Sequence, residues 1–288
     1  MVSVKHTVAV EPVPYPWLAD AVTVIRTLVE ESRADEQGLV LPDGQVARDI
    51  RLTRGRHLLP GSVYVIEDEA DDGKAKADTD GSGEDKKAVD ARDTVQITVR
   101  EWDHRRAVRL ELAVAEDDMT IELDGTLKSP DRPAEVEITG RTQGGAAPRT
   151  LFDMAGRARV RLDDWWPAAD TGRASASAPA SARLDHRWIR ADARAVPRPS
   201  RDDGRWDIHV IVSLRGRRLL RPVAAVLLAF AALGIRRSLV RTLDGLAAQW
   251  NDRVPHLVAM NADQLREALL SSQRGENDRR TTGPPGTD

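Results

Sequence analysis

From Thr94 to Ile138 the chain alternates apolar and polar side chains with period two, segment after segment. Val95, Ile97 and Val99 share one face, and Val108, Leu110, Leu112 and Val114 share the next. Met119, Ile121 and Leu123, then Val136 and Ile138, continue the pattern. Period-two alternation is the mark of a half-buried strand, because successive side chains leave opposite faces of the sheet. The connectors at 102–106, 116–118 and 124–132 are short and polar, so consecutive strands are expected to pair antiparallel. One apolar sheet face must then be covered by something else in the chain.

Two helical stretches are placed to cover it. Val2–Val10 alternates as a first strand, and Pro12, Pro14 and Pro16 then force an extended crossing. After them Trp17, Ala21, Val24, Ile25, Leu28 and Val29 recur at helical spacing. Near the C-terminus Leu239, Val240, Leu243, Leu246, Ala247 and Trp250 form a second stripe, preceded by the apolar run Pro222–Ile235. Those fourteen residues span about 21 Å as a helix, short of a hydrocarbon core of about 30 Å. The run therefore reads as a buried or membrane-surface helix. Pro255 is expected to interrupt it; the terminal segment 255–270 then carries a short helix, Ala262–Leu270, capped by Asn261, and 271–288 is expected to be a disordered tail.

Further strands are expected at Ile50–Thr53, Ser62–Glu67, Arg157–Asp163, Arg183–Ala195 and Trp206–Leu214. Two stretches cannot supply core. Residues 67–93 hold eleven acidic and five basic residues and read as a solvated, disordered insertion. Residues 164–182 are rich in Ala, Ser and Pro and read as a loop. The 288 residues carry no cysteine, which removes disulfides, thiolate nucleophiles and Cys-held metals. A formal net charge of −3 gives no global reason to expect nucleic acid as a partner. The start of the chain lacks the continuous apolar core of a secretory signal, so a cytoplasmic location is expected.

Three stretches carry a family resemblance. TVAVEPVPYPWLADAV is similar to the first strand, Pro-containing turn and Trp-bearing helix of the START-like (SRPBCC) superfamily of polyketide cyclases and lipid-transfer proteins. LLPGSVYVIEDE with DTVQITVREWDHRRAVRLELA resembles its central strands. WDIHVIVSLRGRRLLRPVAAVLLAFAALGIRRSLVRTLDGLAAQWN resembles its last strand running into the C-terminal helix. The resemblance spans roughly 3–251 and departs from the family at the acidic insertion and around 149–182. It implies an α+β helix-grip fold over residues 1–254, a curved antiparallel sheet gripping a long C-terminal helix. It also implies a cavity between sheet and helix that holds a hydrophobic or amphipathic, lipid- or polyketide-like molecule.

The residues expected to face such a cavity are Trp17, Tyr64, Trp102, Trp188, Trp206, Val210, Leu227 and Phe230. Each also reads as ordinary core. Catalysis in the same cavity, of aromatase or cyclase type, would need polar groups to converge there, with Tyr64, His186, His209 and Arg190 the ones to check. The six histidines show no HxH or HExxH spacing, so no metal, cofactor or catalytic motif is expected. Seven arginines and no acid lie between Ile208 and Leu243. Either they are solvated around a helix that covers the sheet, or they rest that helix on an anionic membrane surface.

Overall fold

The computed structural model describes residues 2–67, 94–116, 119–144, 153–173, 177–200, 204–216 and 221–281, with backbone alone at 221–233, 235 and 273–281. The acidic insertion expected over 67–93 lies, from residue 68 on, outside the described residues. The fold is α+β. An antiparallel sheet of eleven strands carries the order β1-β14-β13-β12-β11-β10-β9-β8-β7-β6-β5. Strands β5 (Ile50–Arg54), β6 (Val63–Glu67), β7 (Thr94–Asp103), β8 (Ala107–Glu116), β9 (Met119–Lys128) and β10 (Glu135–Gly144) form one half of a meander. The meander continues with β11 (Met154–Arg161), β12 (Ala180–His186), β13 (Ile189–Pro199) and β14 (Trp206–Gly216). The first strand, β1 (Val2–Val10), pairs with the last from Val2↔Leu214 to Val10↔Trp206. A small sheet of β2 (Arg33–Asp35), β3 (Gly38–Val40) and β4 (Val46–Ala47) follows the first helix.

The register gathers most of the apolar residues of the long strands onto one face. A single row runs Val4, Val212, Ala193, Ala182, Ala158, Ile138, Gly125, Leu110 and Val99 through directly opposed pairs. A bulge between Val99 and Glu101 shifts β7 by one residue, so that Trp102 faces Val108 and stays on that side. A one-residue slip without such a bulge would turn the rest of the strand to solvent. The opposite face is ionic, with Arg100–Glu111 at 2.5 Å, Arg109–Asp124 at 2.7 Å, Arg157–Glu137 at 2.7 Å and Arg183–Asp192 at 2.8 Å.

Four helices stand among the described residues. Helix α1 (Tyr15–Glu31) begins directly after the proline crossing, with Pro16 tolerated in the first turn, where no intrahelical donor is needed. Helix α2 (Leu162–Thr171) corrects the expected 164–182 loop. Asp163 and Asp164 sit at its N-terminal dipole, and Gly172 closes it in the left-handed conformation at φ 65°. Pro167 and the Ala/Ser/Pro composition argue against a helix there. Burial decides the matter, because Ala168 and Ala169 are 2% and 0% exposed against the sheet.

Helix α3 (Arg221–Val258) runs through Pro255, which falls in the last turn and costs one backbone bond. The boundary expected at 254–255 is therefore not a break. Helix α4 (Ala262–Thr281) starts at a reciprocal box, Asn261 to Gln264 N–H at 2.9 Å and Gln264 to Asn261 N–H at 3.0 Å. It extends eleven residues into the tail expected to be disordered. The expected strand 183–195 is two strands, β12 and β13, separated by a turn at Arg187–Trp188. Val10, Val13, Ala169, Trp206, Ile208 and Val254 form the buried cluster that joins β1, β14, α2 and α3.

Glu135 is the most deeply placed charge on the sheet, at 8% exposure. Burial raises its pKa, but hydrogen bonds from Arg159 and from Lys128 (Nζ at 2.7 Å) outweigh this and hold the carboxyl below its ordinary value. A lowered folded-state pKa contributes stability that is present above the unfolded value and lost as pH falls through the folded one. Glu135→Gln is expected to destabilise the neutral-pH fold by about 1–2 kcal/mol, since both partners are half exposed. Urea unfolding across acid pH should show a shallower loss of stability in the variant than in the wild type.

Candidate functional site

On the apolar face, where β1 and β14 meet α3, the chain leaves a cavity of about 600 Å³. Its floor is Val8, Val10, Ile208 and Val210 of the two strands, with Val160 and Ala180 beyond them. Its roof is one stripe of α3: Leu243, Leu246, Ala247, Trp250, Val254 and Leu257. Trp17 and Leu18 of α1 and Trp165 and Trp166 of α2 form its ends. The hollow exists because alanine occupies positions that could hold larger side chains. Ala180 and Ala195 are direct neighbours across β12 and β13, and Ala195 faces Val210.

Five of the chain's seven tryptophans reach this cavity, and three of them have their polar atom tied away from it. Trp166 Nε1 donates to the Val13 carbonyl at 2.7 Å, Trp250 Nε1 to Glu11 at 2.9 Å, and Trp17 Nε1 to Met260 at 3.1 Å. With the N–H satisfied at backbone, the indole faces are free to line an apolar space. Trp206 packs edge-on against Trp165 and Trp166, each with ring centres 6.4 Å away.

Polar groups stand next to the lining residues along the chain and not among them. His6 Nε2 lies 2.6 Å from Asp244 Oδ1, on the strand position opposite Val210 and next along the helix from Leu243. Asn251 bonds the Glu11 N–H at 2.8 Å and the Ala9 carbonyl at 3.0 Å, fastening α3 along β1.

Of the residues expected at a cavity, Trp17, Trp206 and Val210 line this one. Tyr64, Trp102 and Trp188 do not. Tyr64 is buried beside the 55–62 loop, where its hydroxyl donates to His57 Nδ1 at 2.8 Å and accepts the Leu58 N–H at 2.9 Å. His57 Nε2 then donates to the Val29 carbonyl at 2.9 Å, so the pair latches α1 to the sheet. Burial pushes the Tyr64 phenol up, against the opposing Leu58 and Ser62 bonds, and it stays neutral. Trp102 donates to Glu30 at 3.0 Å, and Trp188 stands edge-on to His186 at the β12–β13 turn. The side chains of Leu227 and Phe230 lie outside the described residues.

The polar groups to be checked for catalysis do not converge. His209 bonds Thr7 at 2.9 Å on the opposite face from Ile208 and Val210, and Arg190 pairs with Asp185 at 2.8 Å. Among the described residues no group of three or more metal-ligating side chains forms.

Two other hollows differ in kind. One, about 710 Å³, lies over the ionic face and is ringed by Arg100, Glu111, Glu122, Asp124 and Arg141, which are paired with one another or with Arg109. The other, about 370 Å³, is an open trough over Ile138, Leu184, Ala182 and Ala193 on the apolar face. The cavity under α3 joins walls from three helices to the strands of its floor, with an almost wholly apolar lining.

From sequence, Trp165 and Trp166 read as a loop that either plugs a pocket mouth or forms a contact patch; the structure carries both on helix α2, in the wall of the cavity. Comparison with protein-family models, with curated proteins and with solved structures finds no significant match. Among the described residues no helix is long and apolar enough to cross a membrane. Truncating the central indole, Trp206→Ala, is expected to cost about 3–5 kcal/mol in urea unfolding, because Trp206 is 7% exposed and joins the walls to the core.

Proposed function

We propose that this chain is a START-like, helix-grip binding module that holds an apolar or amphipathic small molecule in the cavity between its sheet and α3. The observation that carries the reading is the cavity itself: about 600 Å³, walled by five tryptophans and aliphatic side chains. That volume falls within the range of small-molecule sites. Burying about 300 Å² of apolar ligand surface at about 25 cal/mol/Å² contributes about 7 kcal/mol before association costs. Binding then needs no special chemistry, only space that the core leaves unfilled.

The sheet order supports the fold part of the reading. The first strand lies beside the last, the remainder forms a meander, and a long helix follows the last strand back across the face. Carriage or sensing is the role that follows, because the polar groups that chemistry would require are spread over both faces.

Ala247 sits in the roof, and Ala247→Phe places a ring in the ligand volume. Organic extracts of the purified wild type are expected to contain a stoichiometric apolar molecule by mass spectrometry. The variant should retain its fold by circular dichroism and lose at least about tenfold of that molecule, equivalent to about 1.4 kcal/mol. A wild type free of bound molecule, unable to take up a fluorescent fatty acid when one is supplied, would falsify the reading.

A further inference from the structure

The same helix that roofs the cavity continues far beyond it. Asp244 meets His6, and seven residues later Asn251 meets Ala9 and Glu11, so α3 advances along β1 in the strand's own direction. Counting back from Asp244 to Arg221 gives about 34 Å of helix. Counting back from His6, β1 has only the four residues to Val2, about 13 Å. An uninterrupted α3 therefore overshoots the start of β1 by about 20 Å. The departure is visible where it begins: a Cβ on Gly234 would meet nothing within 4 Å, and Arg236, Arg237 and Ser238 are exposed.

The overshooting half is the apolar run Pro222–Ile235, bracketed by Arg215 and Arg221 on one side and Arg236, Arg237 and Arg241 on the other. A helix apolar around its whole circumference requires an apolar surrounding. A second copy is a poor one. Antiparallel pairing of two such helices would set the arginines near 215–221 of one chain against those near 236–241 of the other, with no acid from Ile208 to Leu243 to separate them. Fourteen apolar residues are too short to cross a bilayer and sufficient to enter its interfacial layer, with basic residues at both ends meeting phosphate groups.

We propose that the N-terminal half of α3 docks the protein on the surface of an anionic lipid bilayer, through its apolar run and the arginines at either end. The site is separate from the cavity, and either can exist without the other. The charge asymmetry is local: a chain of net charge −3 carries seven arginines and no acid between residues 208 and 243, along this one helix and its approach.

The test is co-sedimentation of the full chain with vesicles of phosphatidylglycerol mixed with phosphatidylcholine, and of phosphatidylcholine alone. Binding is expected only to the anionic vesicles, weakening as salt is raised. The triple variant Arg236→Glu, Arg237→Glu, Arg241→Glu should lower partitioning on the order of 100-fold with its fold intact by circular dichroism. Leu227→Asp with Phe230→Asp, which keeps every arginine, should lose binding as well. Equal binding to both vesicle types, absence of binding by folded protein, unchanged partitioning of the triple variant, or a salt-insensitive dimer in place of vesicle binding overturns the proposal. The extract analysis of the cavity is unaffected by any of these outcomes.

Discussion

The structure depends on how α3 closes the free edge of β1. An edge strand carries unpaired backbone groups, and leaving them open invites another chain to pair with it. Here the Asn251 side chain supplies both a donor and an acceptor, to the Ala9 carbonyl and the Glu11 N–H, and Trp250 donates to the Glu11 carbonyl. These three bonds cap the end of β1 and fix the rotation of the helix. Once that rotation is set, Leu243, Leu246, Ala247 and Val254 must point toward the sheet. The roof of the cavity is therefore a consequence of edge capping.

The emptiness beneath that roof has a local cause. Sheets usually fill the space against a helix with branched or aromatic side chains, at close to crystalline density. Beside the floor, the facing residues Ala180 and Ala195 of β12 and β13 stand in place of such side chains, so the face recedes next to taller walls. Further alanines, Ala182, Ala191 and Ala193, line the open trough over β11–β13, where Leu184 and Ile138 remain 43% and 44% exposed. Among the described residues the apolar face is thus covered on the α2–α3 side and open at its centre.

Much of this architecture was legible in the sequence, because alternation is enforced by burial of one face. β1, β5 to β10 and β14 follow the period-two pattern closely, and the first helix starts at the prolines. The failures have distinct physical origins. Helix α2 has poor local propensity and exists through tertiary burial of Ala168, Ala169 and its tryptophan pair. The β12–β13 turn was hidden because alanine and arginine give no strand signal of their own. Tyr64 and Trp102 share the apolar face with the cavity residues, yet lie many strands away, a distance that only the sheet order reveals. Trp17, Trp206 and Val210 were readable as apolar, but their convergence depends on the pairing of the first strand with the last.

The account turns on one hollow being occupied by a guest. Methyl-resolved NMR of the protein as purified, compared with the same protein after delipidation, addresses it residue by residue. Removing the guest should shift the methyl signals of Val8, Val10, Val160, Ile208, Val210 and Leu243, while those of Ile138 and Leu184 in the open trough stay in place. Identical spectra before and after extraction, or shifts centred on the trough, would contradict it.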